Sequence, residues 1–455
     1  MFNTGDGINC GLPNFSSSFF NSSLDHSSPN KFNVISPHSD RWHSNHISPP
    51  RKNFQPAETS TPTPKNWAAP QGRKQSLVTN LVINFQSLKN KIPTFSTHIS
   101  ENPADIIYGT ETWLHTKIKD AELLLDDYDL YRKERPGNAN FTSDIGSLSE
   151  EERRRKKVGG GVLLAVKKSL ASKPINTPIK SESVYCQITQ TGKPPLIIGC
   201  VYRPPDNDLS TCELICSEIR GIKDKFKKSL FWVGGDFNLP DIDWANSDIT
   251  GHVYPKSINE NFIDTFNDTG LRQTVDAPTR GENILDIFLT NCPDLITSSV
   301  IEPGVGDHEA VRTHSQLTLQ RRRPTKRQIR LWKKADIAGL QADARNFATL
   351  FLETHSPTDC IDSMWGTIKD NLLKILDKNV PTKTSTSKIH KPWITTETKR
   401  LLRLKQKLYR NAESTNSNEA WNKYRNIKKV TQSTCRQTYV RGLVTKSLGG
   451  KKLWT

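Results

Sequence analysis

At 455 residues the chain is longer than one ordinary domain, and a hydrophobic content of 34% is low for a chain folded along its whole length. No apolar stretch reaches membrane-span length, Met1-Phe2-Asn3-Thr4-Gly5-Asp6 lacks the basic-then-apolar layout of a secretory signal, and eight cysteines do not make a disulfide framework. These features argue against a membrane or disulfide-stapled secreted protein and predict a reducing compartment, nuclear or cytoplasmic.

The net charge of +17 is unevenly spread. Residues 321–455 carry 30 Lys and Arg against 10 Asp and Glu, whereas residues 76–320 carry 27 against 33. A mildly acidic middle therefore precedes a strongly basic end. Such an end suits sequence-independent attraction to nucleic acid, with a solvated surface or a localisation signal as the plainer alternative.

In chain order, residues 1–75 are rich in Ser, Asn, Pro and His without hydrophobic periodicity, and are expected to be disordered. His38, His43 and His46 have no cysteine pairs near them, so a zinc site there is not expected. Apolar strand-length runs then alternate with helical stretches such as 209–228 and 257–270, which predicts an α/β layered domain. Cys212 and Cys216 would share one helical face, as packing residues. Residues 141–157 read as an exposed charged loop.

Polar residues stand at the ends of these apolar runs. Leu81-Val82-Ile83 delivers Asn84, with Gln86 two residues on, and the run from Asp105 to Thr110 delivers Glu111, then Thr112-Trp113. The run Leu196 to Val201 delivers Tyr202, and Arg203-Pro204-Pro205 ends its ladder. Leu230-Phe231-Trp232-Val233 leads through Gly234-Gly235 to Asp236-Phe237-Asn238, where alternation would put Asp236 and Asn238 on one face. Asp286 lies inside the apolar run Ile284 to Leu289, and Gly304-Val305-Gly306-Asp307-His308-Glu309 closes the series. Each has a plain structural alternative: Asn84 as a turn cap, Tyr202 as a core aromatic, His308 as a satisfied core histidine. Together, an Asp able to handle a proton beside an Asn able to hold an oxygen suits phosphodiester chemistry. A buried Asp286 would need a partner, and His308 is the best candidate.

The order of these motifs resembles the endonuclease/exonuclease/phosphatase superfamily of metal-dependent phosphoesterases. The closest likeness is to the apurinic-like endonuclease of non-LTR (LINE-like) retrotransposons. It rests on Asn84, Glu111-Thr112-Trp113, Gly159-Gly160-Gly161-Val162, Val201-Tyr202-Arg203-Pro204-Pro205, Gly235-Asp236-Phe237-Asn238, Pro278-Thr279-Arg280 with Leu285-Asp286, and Asp307-His308. Gly306 departs from the Ser usual before the Asp-His pair, and Gln86 stands where some relatives have an acid. The resemblance implies a four-layer α/β/β/α sandwich over residues 76–320 with the site at one end of the sheets. It implies a DNA endonuclease that nicks one strand to leave a 3′-hydroxyl and a 5′-phosphate. Mg²⁺ would sit at Glu111 and Asp307, with Asn84 and Gln86 as neutral oxygen donors; Mn²⁺ would suit the same set. Asp236 would orient or deprotonate the attacking water, or in its protonated form assist the leaving oxygen. Asn238 and Tyr202 would donate to the phosphate, and His308, fixed by Asp286, to a non-bridging oxygen.

After residue 320 the chain reads as helical over 335–378 and 394–445, basic and amphipathic, suited to DNA or element RNA and similar to the connector before a reverse transcriptase. No aromatic-Ala-Asp-Asp polymerase signature occurs, so a chain truncated before a reverse transcriptase is expected. Two other readings stay open: a repair nuclease for abasic sites, and a catalytically silent nucleic-acid-binding remnant. A lipid phosphatase, which this fold also supports, would need lipid-facing features that the sequence lacks.

Overall fold

A computed structural model describes residues 77–140, 148–155, 158–178, 181–190, 192–206, 208–323, 326–385 and 391–451. The expectation for residues 1–75 lies outside them, as do parts of the expected loop 141–157.

The strands are β1 (Val78–Asn84), β2 (Ile106–Thr110), β3 (Tyr128–Lys133), β4 (Val162–Lys167), β5 (Ser172–Ile175), β6 (Ser183–Ile188), β7 (Leu196–Tyr202), β8 (Leu230–Asp236), β9 (Ile242–Asp243), β10 (Asp248–Ile249), β11 (Arg272–Gln273), β12 (Asp286–Thr290), β13 (Ile296–Glu302), β14 (Ala310–Ser315), β15 (Arg327–Arg330) and β16 (Thr382–Ser385). The helices are α1 (Ile92–Glu101), α2 (Glu150–Arg155), α3 (Leu209–Lys225), α4 (Lys256–Thr269), α5 (Ile337–Thr354), α6 (Ile361–Asn379), α7 (Thr396–Thr415) and α8 (Asn418–Lys451). One six-stranded sheet runs β13-β14-β1-β2-β4-β3 and a second runs β11-β12-β8-β7-β6-β5.

Both sheets are apolar on both faces, which explains the continuous hydrophobic runs of β1, β2, β7 and β8. Val82, Tyr108, Leu164, Cys200, Trp232 and Phe288 fill the layer between the sheets. Ile197, Phe231, Val233, Ile287 and Leu289 point the other way, against Ile215, Ile219 and Phe262 of α3 and α4. Leu81, Ile83, Ile107 and Leu163 pack under Phe95 and Ile99 of α1. Helices, sheet, sheet and helices make the four layers that the motifs imply.

Local chemistry sets the helix ends. Asp208 caps α3 by accepting from Ser210 N at 3.0 Å, and Cys212, Ile215, Cys216, Ile219 and Ile222 form its buried stripe. Helix α4 stops at Gly270 in the left-handed region. The expected helix 335–378 is two helices, because Pro357 disfavours helical backbone in the residue before it. The expected helix 394–445 is likewise two, turning at Asn416 with φ +46. Within 141–157 the described residues 150–155 form the short helix α2, with three glutamates in its first turn.

Candidate active site

Strand order alone gathers the polar strand ends. In the second sheet Asp236, the last residue of β8, stands opposite Tyr202 of parallel β7 and opposite Asp286 of antiparallel β12. In the first sheet Asn84 closes β1 beside Thr110 of β2, so Glu111 follows directly, and His308 precedes β14, the other neighbour of β1. All six arrive at the same end of the two sheets. Gly235 makes this approach feasible: its φ is +153, and a Cβ there would lie 1.8 Å from the Val201 carbonyl oxygen.

The two sheets are joined at that end by side chains. Asn84 Nδ2 donates to Asp236 Oδ2 at 2.8 Å, and Asn238 N donates to Asp236 Oδ1 at 3.1 Å. His308 Nδ1 lies 2.7 Å from Asp286 Oδ2 and 4.0 Å from Asp236 Oδ2. Asp236 and Asp286 are fully buried, Asn84 and His308 almost so. Asp286 opens its strand rather than lying inside it, and its backbone N donates to Thr279 Oγ1.

Burial raises the Asp236 pKa well above the ordinary carboxylate value, and neighbouring Asp286 and Glu111 push it the same way. Burial works against the His308 imidazolium, but Asp286, with help from Asp236 and Asp307, outweighs it and raises that pKa to about 10. The trio therefore favours a charged His308 between carboxylates. Its ligand atoms lie within 4.8 Å of one another, but the histidine nitrogen facing the carboxylates is engaged with Asp286. The cluster is better suited to holding a proton than a cation.

Gln86, Glu111, Tyr202, Asn238, Asp307 and His308 line one cleft of about 600 Å³, with Asn84, Asp236 and Asp286 buried behind it. Tyr202 differs from expectation: its hydroxyl donates to Glu111 Oε1 at 3.1 Å instead of facing the cleft unengaged. Asn238 differs too. It lies beyond the strand with φ +48, so alternation does not apply, and its Nδ2 donates to Arg203 O at 2.8 Å. One amide hydrogen remains for a ligand. Asp307 pairs with Arg280 at 3.0 Å through Oδ2, leaving Oδ1. Gln86, Ser87, Glu111, Trp113 and Asn238 all hold positive φ at or beside this cleft, a concentration of strain typical of functional sites.

Of the expected oxygen donors, Gln86, Glu111 and Asp307 line the cleft and could hold a hard divalent cation such as Mg²⁺, whereas Asn84 lies buried behind it with Oδ1 accepting from Gln86 N at 3.0 Å.

Other residues support the site from behind. Arg203 is fully buried with no carboxylate partner among the described residues; it donates to Asn238 O at 2.8 Å and to Asp206 O at 2.6 Å, and stacks 4.2 Å from the Tyr254 ring centroid. Arg135 binds Glu182, whose other oxygen accepts from Gly161 N at 2.7 Å, fixing the glycine run. Arg153 lies 4.7 Å over Trp113 on the cleft wall. Arg135 and Glu182 are 47 residues apart, and only the fold announces the pair.

Among known proteins, residues 196–312 match a family model described as endonuclease-reverse transcriptase. No curated protein matches the sequence. Similar solved structures include the endonuclease domain of TRAS1, a telomere-specific non-LTR retrotransposon, at 17% identity and TM-score 0.38, over 53% of this chain and all of that one. An endonuclease/exonuclease/phosphatase family protein from Leptotrichia buccalis has 17% identity and TM-score 0.35, and an AP endonuclease from Archaeoglobus fulgidus 13% and 0.36, with the same coverage. Among the described residues no helix is long and apolar enough to cross a membrane. The family match falls on the strands that carry Tyr202, Asp236 and Asp286, so over residues 196–312 the chain is similar to endonuclease-reverse transcriptase proteins.

Proposed function

We propose that the chain is a Mg²⁺-dependent DNA endonuclease of retrotransposon origin that nicks one strand, leaving a 3′-hydroxyl and a 5′-phosphate. The observation that carries this reading is the junction of Asn84–Asp236 and Asp286–His308 at the head of one cleft, with Glu111 and Asp307 on its wall. A carboxylate that accepts a proton and a charged donor on one reacting group suit phosphodiester hydrolysis.

Asp236, held by Asn84 and Asn238, accepts a proton from the attacking water. Its raised pKa makes it a stronger base than an exposed carboxylate. Asp286 occupies His308 Nδ1 and leaves Nε2 to donate to a non-bridging phosphate oxygen. The second Nδ2 hydrogen of Asn238 is directed to the same phosphate. Tyr202 orients Glu111, and donates to phosphate only if its hydroxyl turns away from that carboxylate. Glu111 and Asp307, with Gln86 as a neutral donor, would hold Mg²⁺, which supplies charge neutralisation at the phosphoryl oxygens when bound. Exposed Arg400, Lys407, Arg410, Arg425 and Lys429 on α7 and α8 offer phosphate contacts for DNA or for element RNA.

Supercoiled-plasmid nicking tests the reading. Open-circle product should form with Mg²⁺, vanish with EDTA, and be lost in Asp236→Ala and His308→Ala. Nicks that a polymerase extends directly carry a 3′-hydroxyl. Cleavage of abasic but not intact duplex would instead identify a repair nuclease. DNA binding by the folded wild type without any cleavage would identify a silent remnant.

A further inference from the structure

The loop Pro303–Glu309 carries Asp307 and His308 between β13 and β14, and its backbone is gripped from outside the two sheets. Lys405 of α7, itself buried, donates through Nζ to Pro303 O at 3.2 Å and to Gly304 O at 3.3 Å. Lys428 of α8 donates through Nζ to Gly306 O at 2.9 Å. The loop is tight enough to need such fixing. Gly304 N donates to Glu309 Oε2 at 2.8 Å, and a Cβ on Gly304 would lie 2.1 Å from His308 O. Lys91 does the same for the facing loop, donating to Phe85 O at 2.6 Å and Gln86 O at 2.7 Å.

The two helices are docked, not trailing. Tyr409 and Ala412 of α7 interlock with Ala420 and Tyr424 of α8, the two tyrosine rings 5.1 Å apart. Lys399 and Arg403 clasp Glu101 at the end of α1 at 2.9 and 2.7 Å, and Lys391 reaches Ser96 Oγ at 3.3 Å. Part of the basic charge of residues 321–455 is therefore turned inward. Burying an ammonium group is costly unless it is hydrogen-bonded. An ammonium offers three donors and no acceptor, which suits a group whose task is to hold several backbone carbonyls at once.

We propose that the α7–α8 hairpin is a positioning element of the cleft, in which Lys405 and Lys428 hold the backbone at 303–306 so that Asp307 and His308 keep their places against Asp236. The functional unit then extends past residue 320 to α8. This inference rests on the nuclease reading above.

Full-length Lys428→Met, Lys428→Arg and Lys405→Met variants test it, with Lys423→Met, an exposed lysine of α8 paired with Glu419, as a charge control. Two readouts are used: single-site nicking kinetics with Mg²⁺, and amide hydrogen exchange of the 303–309 peptide without metal. A misplacement on the order of 1 Å at reacting groups costs up to about 10²-fold in rate. Loss of one lysine tether should therefore lower kcat about tenfold and leave KM for DNA within about twofold. Exchange over 303–309 should rise about tenfold in both Met variants, since opening the loop no longer breaks the tether. Lys428→Arg should restore much of both, and Lys423→Met should change neither kcat nor exchange. Lys428 is only half-buried, so its variants remain informative even where Lys405→Met does not fold. Unchanged kcat and exchange in Lys428→Met, beside an active wild type, would overturn the positioning role alone. A wild type that never nicks would overturn the nuclease reading, and positioning for cleavage with it.

Discussion

Asp286→Asn isolates the charge behind His308 while keeping the shape of the side chain. In the wild type His308 Nδ1 donates to Asp286 Oδ2 at 2.7 Å, and its pKa rises from 6.5 to about 10 although burial opposes the charged form. A shift of that size corresponds to on the order of 5 kcal/mol favouring imidazolium over imidazole. Asp286 supplies the larger part, because Asp236 is farther off at 4.0 Å. The asparagine keeps a partner for Nδ1 without the charge, so the His308 pKa should fall by about 3 units, which leaves the ring mostly neutral at pH 7.5. Nε2 then donates from a neutral ring, and a charge-assisted bond is roughly twice as strong as a neutral one. The difference, about 1–1.5 kcal/mol, predicts a kcat for nicking lower by roughly 5- to 12-fold at pH 7.5. The deficit should shrink toward pH 6 as the ring regains its proton. The checks are the His308 ring resonance followed against pH, assigned with His308→Ala, and plasmid nicking under saturating Mg²⁺. A His308 that still titrates near 10 in the Asn variant, or a kcat within about twofold of wild type at pH 7.5, would refute the reasoning.

Nicking by the wild type should follow a bell-shaped pH profile. Activity rises as Asp236 ionises, with its limb above the ordinary carboxylate value of 3.8 because burial raises that pKa, and falls as His308 deprotonates near 10; initial rates across the range check both limbs. Gly235→Ala should lower stability by at least about 3 kcal/mol, because the new methyl meets the Val201 carbonyl at 1.8 Å and φ is +153; the urea midpoint measures it, and a midpoint near wild type would contradict the close approach of β7 and β8. Glu302 is opposed by burial, but His98 and Arg312 lower its pKa from 4.5 to about 2. Its contribution, on the order of 3 kcal/mol, is fully present above pH 4.5 and is lost as pH falls through about 2. Glu302→Gln should flatten that part of the stability–pH curve, as read by urea unfolding at pH 5 and at pH 2.5.

What the sequence determined by itself are the features that repeat along the chain or stand next to one another. The apolar runs ending in Asn84, Tyr202 and Asp236 announce buried strands with polar ends, because a strand covered on both faces must be apolar throughout. The order of those ends, with Glu-Thr-Trp, Gly-Gly-Gly-Val and Asp-His, was enough to indicate a superfamily and four layers. A buried Asp286 implied a partner, since burial of an unpaired carboxylate is costly. Helix breaks at Pro357 and Asn416 were also written locally, in a proline and in a residue that tolerates left-handed backbone, yet the amphipathic pattern running through them concealed both.

Only the tertiary structure decided how these groups meet. Tyr202 turns to Glu111, Asn238 leaves the strand and spends one hydrogen on Arg203, and Arg280 takes one oxygen of Asp307. The pairing of Lys405 and Lys428 with carbonyls at 303–306 joins segments more than 100 residues apart. A lysine on a basic amphipathic helix looks the same in sequence whether it faces solvent or a loop. Periodicity records which face of an element is buried, but the identity of the group waiting on the other side is set by strand order and helix docking, which depend on contacts distant in the chain.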